Sequence, residues 1–301
     1  GVVLEEIAMV EDTPEDLVHE LLAQAQHSGS LAMPILGPAK RIRQYTREDI
    51  TGYWQRHYTP ANTVLAIAGN YDWDAFVALA QEHFDAFPNP DGEAAARGAQ
   101  GNVSGRLARE KDTEQLHICL GFPGVAQGED DAYPLSVFNN ALGGGMSSRL
   151  FQRIREELGM AYSVYTYPGS YPGSGVFNLY AGTTPENGHT VLRELQAVTG
   201  QLLREGLTEK EFISAKAQLR GGYVLGLESS SGRMQSIGRG MLLLGRLQSA
   251  EEVLAKIDAV TLEDVLRVGR RSLSAVPAAA VVGKQAGEYL ADVTEGSYGQ
   301  A

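Results

Sequence analysis

The stretch Gly143–Tyr180, GGGMSSRLFQRIREELGMAYSVYTYPGSYPGSGVFNLY, changes its periodicity halfway along. Its three leading glycines free the backbone from Cβ limits and break the helix that precedes them. Ser147 or Ser148 is placed to cap a new helix, whose Leu150, Phe151, Ile154 and Leu158 recur at helical spacing. Gly159 is a suitable stop. Beyond it the period is two: Tyr162, Val164 and Thr166 would face one way, Ser163, Tyr165 and Tyr167 the other. The run YPGSYPGSG supplies a turn, and Val176–Ala181 reads as the returning strand. A basic helix therefore runs straight into an aromatic hairpin, with Arg155 at the helix end and Tyr162 at the strand start.

Around this junction, the chain of 301 residues is longer than one core usually serves, so two domains are expected. No apolar run approaches the roughly 20 residues needed to span a bilayer. A formal charge of −12 argues against nucleic acid or an anionic membrane surface as partner. Cys119 is the single cysteine, in QLHICLGF, which excludes an internal disulfide and a cysteine-based metal cluster. A buried, inert thiol is the expectation there. The chain opens GVVLEEI, already inside an apolar helical pattern and without a methionine or signal-peptide pattern, so a fragment of a longer protein is expected.

In chain order, Val3, Leu4, Ile7 and Val10 line one face of a first helix. Pro14 starts a second, with Thr13 as cap, Asp16 completing a capping box, and Leu17, Leu21 and Leu22 as its buried stripe. His27–Lys40 reads as loop. Thr46–Asp49 repeats the capping-box pattern before a helix bearing Ile50, Tyr53 and Trp54, and TVLAIAG (Thr63–Gly69) reads as a buried strand. Asp72 caps a further helix. Phe87–Arg106 is poor in apolar residues and rich in glycine and proline, which places a flexible linker there. Beyond it come a strand at Gln115–Gly121, a helix near Asp131–Leu142, the junction, a helix at Glu186–Arg204, more helix, and a last strand at Ala278–Gly283. Residues after Lys284 read as a loosely held tail. Thr46–Ile50 leading to Gly69 and Thr261–Val265 leading to Gly283 form an internal repeat of capped helix, apolar strand and glycine.

The junction resembles the pitrilysin/insulinase family of zinc peptidases, which includes the mitochondrial processing peptidases. The likeness rests on Ser148-Arg149-Leu150-Phe151, then Arg155 and Ala161-Tyr162-Ser163-Val164, and extends to VVLEEIAM near the start and YTPANTVLAIAGNYD. It implies an α+β fold of two homologous halves, each a mostly antiparallel sheet with helices packed on one face. Residues 1–87 would then be the end of an incomplete first, zinc-binding half, 88–104 a linker, and 105–301 the second, substrate-positioning half.

The same resemblance implies a zinc-dependent endopeptidase that encloses peptide or unfolded polypeptide between its halves. Glu6 would ligate the Zn²⁺ ion, and Arg155 and Tyr162 would hold and polarise the scissile carbonyl, a task suited to a guanidinium and a phenol. Read on spacing alone, Glu5 and Glu6 are solvated helix surface, Arg155 complements a helix dipole, and Tyr162 is packing. None of the six histidines begins an H-x-x-E-H motif, so two imidazole ligands and the general base are missing from these residues. His19, with Glu15 a turn earlier, reads as a polar helix residue; His57 and His117 read as structural. The glycines follow a helix rather than a strand, which gives no support for nucleotide binding. As given, the chain is expected to be inactive. The alternative is a non-catalytic partner or structural subunit of a peptidase-like complex; the resemblance leaves a homodimer or a heterodimer open.

Overall fold

A computed structural model describes residues 1–85 and 101–293. Their packing forms two compact units: 1–39 with 101–220 and 254–293, and 40–85 with 221–253. This grouping differs from a linear division at 88–104, because the first two helices join the sheet of the later residues. Most of the expected linker 88–104 falls within residues 86–100, which lie outside the described residues.

The first unit is built on five strands: β1 (Arg106–Glu110), β2 (Leu116–Pro123), β3 (Ala161–Tyr171), β4 (Ser174–Thr183) and β5 (Ala278–Gly283). Their order is β1-β5-β2-β4-β3, with β1 parallel to β5 and all other neighbours antiparallel. The helices along the chain begin with α1 (Val2–Asp12), α2 (Pro14–Gln26), α3 (Ala39–Ile42), α4 (Arg47–His57), α5 (Trp73–Phe84) and α6 (Ala132–Leu142). After these come α7 (Gly188–Glu205), α8 (Glu209–Gly226), α9 (Ser230–Arg239), α10 (Ala250–Ala259), α11 (Leu262–Leu273) and α12 (Ala286–Tyr289). A mostly antiparallel sheet with helices against it is the α+β class expected from sequence.

Strand alternation sorts β2 into two faces. Leu116, Ile118, Leu120 and Phe122 join a large core with residues of α6, α7 and α11. Cys119, on the opposite face, joins Tyr180, Ala278, Ala280 and Val282 under Leu17, Val18, Leu21 and Leu22 of α2. The sheet thus carries α2 in addition to the helical layer expected on one face.

His19 of α2 is more than the polar helix residue its sequence context indicated. Its Nδ1 lies 2.7 Å from the Tyr167 hydroxyl and its Nε2 3.1 Å from that of Tyr165. A neutral imidazole donates from one nitrogen and accepts at the other, so both ring nitrogens are satisfied by the sheet. His117 meets the Tyr180 hydroxyl at 2.9 Å. Burial pushes the Tyr165 hydroxyl up to about 12 and raises Tyr167 and Tyr180 as well. Cys119 is buried and its thiol is raised by desolvation, as the inert reading requires.

Several local expectations are corrected. Thr13 does not cap α2; its hydroxyl donates to the Met9 carbonyl. No residue of α1 is buried, and Val3 on its expected apolar face is 39% exposed. Ile50, Tyr53 and Trp54 are exposed on α4. Thr63–Gly69 forms no strand, and Leu65 is 48% exposed. An apolar run becomes a strand only beside a ladder partner, and the described strands all belong to the sheet of the first unit. The expected tail is in part firmly held: Ala286, Tyr289 and Val293 are buried, and the Tyr289 hydroxyl donates to the Pro185 carbonyl. Both capping boxes of the internal repeat form, at Thr46 with Asp49 and at Thr261 with Asp264. The glycines closing the two repeats share a backbone that side chains rarely adopt, with φ 142° at Gly69 and 145° at Gly283.

Two outcomes are expected. A Cβ on Gly269 of α11 would lie 2.4 Å from the Phe138 ring of α6. Gly269→Ala should therefore lose stability, overpacking of ~1–3 kcal/mol exceeding the gain in helix propensity of up to ~1 kcal/mol; an unchanged or higher urea midpoint would refute this. Burial lowers the pKa of His19, His27 and His117 below the ordinary value. For His19 desolvation outweighs the opposing field of Glu15 and Asp16. The unfolded chain then takes up protons first as pH falls below about 6.5, so stability is complete above that value and declines below it. Urea midpoints between about pH 7.5 and about pH 5 should fall, less steeply for His19→Phe. A flat profile would contradict the assignment.

Candidate functional site

The site forms where α6 ends against the edge strand β3. The Gly143 N–H donates to the Asn139 carbonyl at 2.9 Å, and the Gly143 carbonyl accepts the Thr166 N–H at 3.2 Å. A Cβ at Gly143 would lie 2.7 Å from the Thr166 side chain and backbone nitrogen. This glycine therefore both ends a helix and permits close approach to β3. Neither Ser147 nor Ser148 caps the next helix; the buried Ser148 hydroxyl donates to the Gly145 carbonyl at 2.6 Å.

Past Arg149 and Leu150 the backbone widens into a π-helical segment, Phe151–Glu157, with the Leu158 N–H reaching the Arg153 carbonyl. Such turns are uncommon and frequently sit at functional sites. Leu150 and Ile154 anchor the segment in the core. The arginines of this turn and of the residues leading into it then divide. Arg149 grips Glu211 through Nε at 2.7 Å and Nη2 at 2.9 Å, and also donates to the Gly206 carbonyl. Arg153 reaches Glu194 and Glu157, each at 3.0 Å. Arg155 has no ion-pair partner among the described residues; its guanidinium carbon lies 4.9 Å from the centre of the Phe151 ring and 5.6 Å from that of Tyr162.

Tyr162 falls at a register shift between Ala161 and Ser163 in the β3–β4 ladder and is 73% exposed. An extra residue at a bulge is turned out of the ladder, and here it is turned toward Arg155. Beside the pair lies an open cleft of about 320 Å³, lined by Asn139, Gly143–Gly145, Met146, Phe151, Arg155 and Ser163–Thr166. Aromatic faces hold the cation while leaving its donors free for an anionic or carbonyl oxygen.

The structure brings Arg155 and Tyr162 together. Glu6 lies exposed on α1, and among the described residues no three of His, Cys, Asp or Glu form a group able to hold a metal ion. Phe151, a wall of the site, was read from the sequence only as part of the helix's apolar stripe; its i,i+4 spacing to Arg155 was the available signal. Arg149 and Glu211 were also missed, because their pairing spans distant positions. No helix among the described residues is long and apolar enough to cross a membrane.

Comparison with known proteins places the chain in a family. Residues 44–219 match the family profile described as the peptidase M16 inactive domain. The chain is 39% identical over 272 residues to an uncharacterized zinc protease of Bacillus subtilis, covering 90% of this chain and 66% of the relative. It is 42% identical over 287 residues to one of Mycobacterium tuberculosis, covering 94% and 66%, and 32% identical over 284 residues to one of Rickettsia felis, covering 94% and 68%. The fold matches a Helicobacter pylori protease at 20% identity, with a TM-score of 0.84 over 94% of this chain and 70% of that one. It matches a peptidase M16 inactive domain from Pseudomonas fluorescens at 23% identity, with a TM-score of 0.84 over 94% and 69%. From the matched profile, the relatives' identity and the shared fold, the chain belongs to the pitrilysin/insulinase, or M16, family of peptidases.

Proposed function

We propose that this chain supplies the substrate-positioning part of a zinc-dependent endopeptidase that encloses peptide between two homologous halves. The observation that carries this reading is the division of the arginines: two are held by carboxylates, and Arg155 alone is left open beside a cleft. The substrate would be an extended peptide whose carbonyl oxygen accepts from Arg155 and the Tyr162 hydroxyl. On β3 the Thr166 N–H is already taken by Gly143 and Pro168 has none to give, which limits strand addition to the end near Tyr162.

The described residues do not by themselves fit a zinc ion, since Glu6 stands alone. In this proposal Glu6 is one carboxylate of a site whose imidazoles come from outside these residues, and no catalytic step is assigned to it. The profile's description as an inactive domain favours a second reading, a non-catalytic partner subunit in a homodimer or heterodimer.

The 301-residue chain should bind an unstructured fluorescent peptide and show no chelator-sensitive cleavage of a quenched one. In the protein extended to its relatives' full length, Tyr162→Phe should lower kcat by roughly 10²–10³, the scale of one lost transition-state donor (~2–4 kcal/mol), with the thermal midpoint nearly unchanged. Full activity of Tyr162→Phe would remove the tyrosine from the mechanism. Absence of turnover at full length, with bound zinc verified, would leave the partner-subunit reading.

A further inference from the structure

The π-helical segment that presents Arg155 is held in place by residues that do not line the cleft. A π turn does not persist by local propensity, so its rotation must be set by what surrounds it. On the core side Leu150 and Ile154 are buried. On the other side Arg149 is fixed by a two-pronged ion pair with Glu211 on α8 and by the Gly206 carbonyl. Glu211 is itself over-determined. It is the third residue of a capping box, accepting from the Thr208 N–H and hydroxyl, each at 2.8 Å, while its own N–H donates to the Thr208 hydroxyl. One carboxylate therefore ties the start of α8 to Arg149, two residues before the π turn.

Resting on the substrate-positioning reading above, we propose that Glu211, acting through Arg149, is a positioning residue that sets the rotation of Phe151–Glu157 and so places Arg155 between the Phe151 and Tyr162 rings. The pair is well suited to this. A planar guanidinium bound through two nitrogens fixes direction as well as distance, which a lysine ammonium does not. The Arg149 hydrogen bonds hold the Glu211 carboxyl at about 2, so it is ionised throughout the range in which the protein is handled. Arg153 adds a second tether to α7 through Glu194, but that pair is the more exposed on its arginine side. Loss of the Glu211 tether should therefore be felt at Arg155 before the fold itself is lost.

The test uses the 301-residue chain as wild type, Glu211→Gln, Arg155→Ala, the double variant, and Asp264→Asn as a control that breaks the equivalent capping box on α11. The first readout is the Nε–Hε NMR correlation of Arg155, identified by its disappearance in Arg155→Ala and expected to be shifted by the adjoining rings. The second is affinity for a fluorescein-labelled unstructured peptide. Glu211→Gln should move the Arg155 correlation toward the position of a solvated arginine and weaken peptide binding about tenfold, the scale of one charge-assisted hydrogen bond. The double variant should bind no more weakly than Arg155→Ala, because the effect passes through Arg155. Asp264→Asn should lower the thermal midpoint while moving neither readout. Arg149→Lys, which keeps the charge and loses the fork, should displace the Arg155 correlation in the same direction and serves if Glu211→Gln does not fold. An unmoved Arg155 correlation in folded Glu211→Gln or Arg149→Lys overturns the proposal, as does additive loss in the double variant. If Arg155→Ala leaves peptide affinity unchanged, the substrate-positioning reading fails instead, and the NMR displacement still decides the role of Glu211.

Discussion

Burial of the central strand β2 on both faces is the constraint from which the first unit follows. On one face its leucines, isoleucine and phenylalanine meet α6, α7 and α11. On the other, Cys119 and the alanines of β5 leave a shallow surface on which α2 lies close. That second face also carries the hydroxyls of Tyr165, Tyr167 and Tyr180. Leaving such a group buried without a partner costs roughly 1–3 kcal/mol, so His19 and His117 do more than fill space. The ring nitrogens of His19, bonded to Tyr167 and Tyr165, fix where α2 sits along the sheet, which nonspecific apolar contact would not.

The cleft is what remains where this double burial ends. As an edge strand β3 has a free side, and the molecule deals with that side piecewise. Gly143 takes one backbone donor, Pro168 offers none, and the bulge turns Tyr162 outward. Beside it Arg149, just before the π turn, and Arg153 within it are spent on carboxylates of α8 and α7. An arginine locked in an ion pair is structural; one held only by aromatic faces keeps its donors available. The distinction between Arg149 or Arg153 and Arg155 is thus one of partners, although all three share a helix and a charge.

Comparing two similar runs shows why sequence reading succeeded in one place and failed in another. TVLAIAG and AAAVVG are both apolar, both follow a capped helix, and both end in a glycine with φ near the same unusual value of 142° and 145°. Only Ala278–Gly283 is a strand, lying between β1 and β2. Apolar content states that a segment seeks burial; a ladder is a property of two segments. The capping boxes were legible because their partners lie three residues apart, within reach of local geometry. His19 was misjudged for the opposite reason, since its tyrosine partners are far along the chain.

By itself the sequence determined the elements governed by short-range rules: the helix–hairpin junction, the alternation that splits β2 and β3 into two faces, and the Thr-x-x-Asp caps. Each follows from periodicity or from hydrogen bonds closed within a few residues. Tertiary structure alone decided which arginine stays free, why Gly143 must be glycine, that α2 covers the second face of the sheet, and that Ala286, Tyr289 and Val293 are anchored. Those outcomes depend on groups brought together from distant positions, such as Arg149 with Glu211 and Gly143 with Thr166. No local pattern encodes such a meeting, because the energy that selects it exists only once both segments are in place.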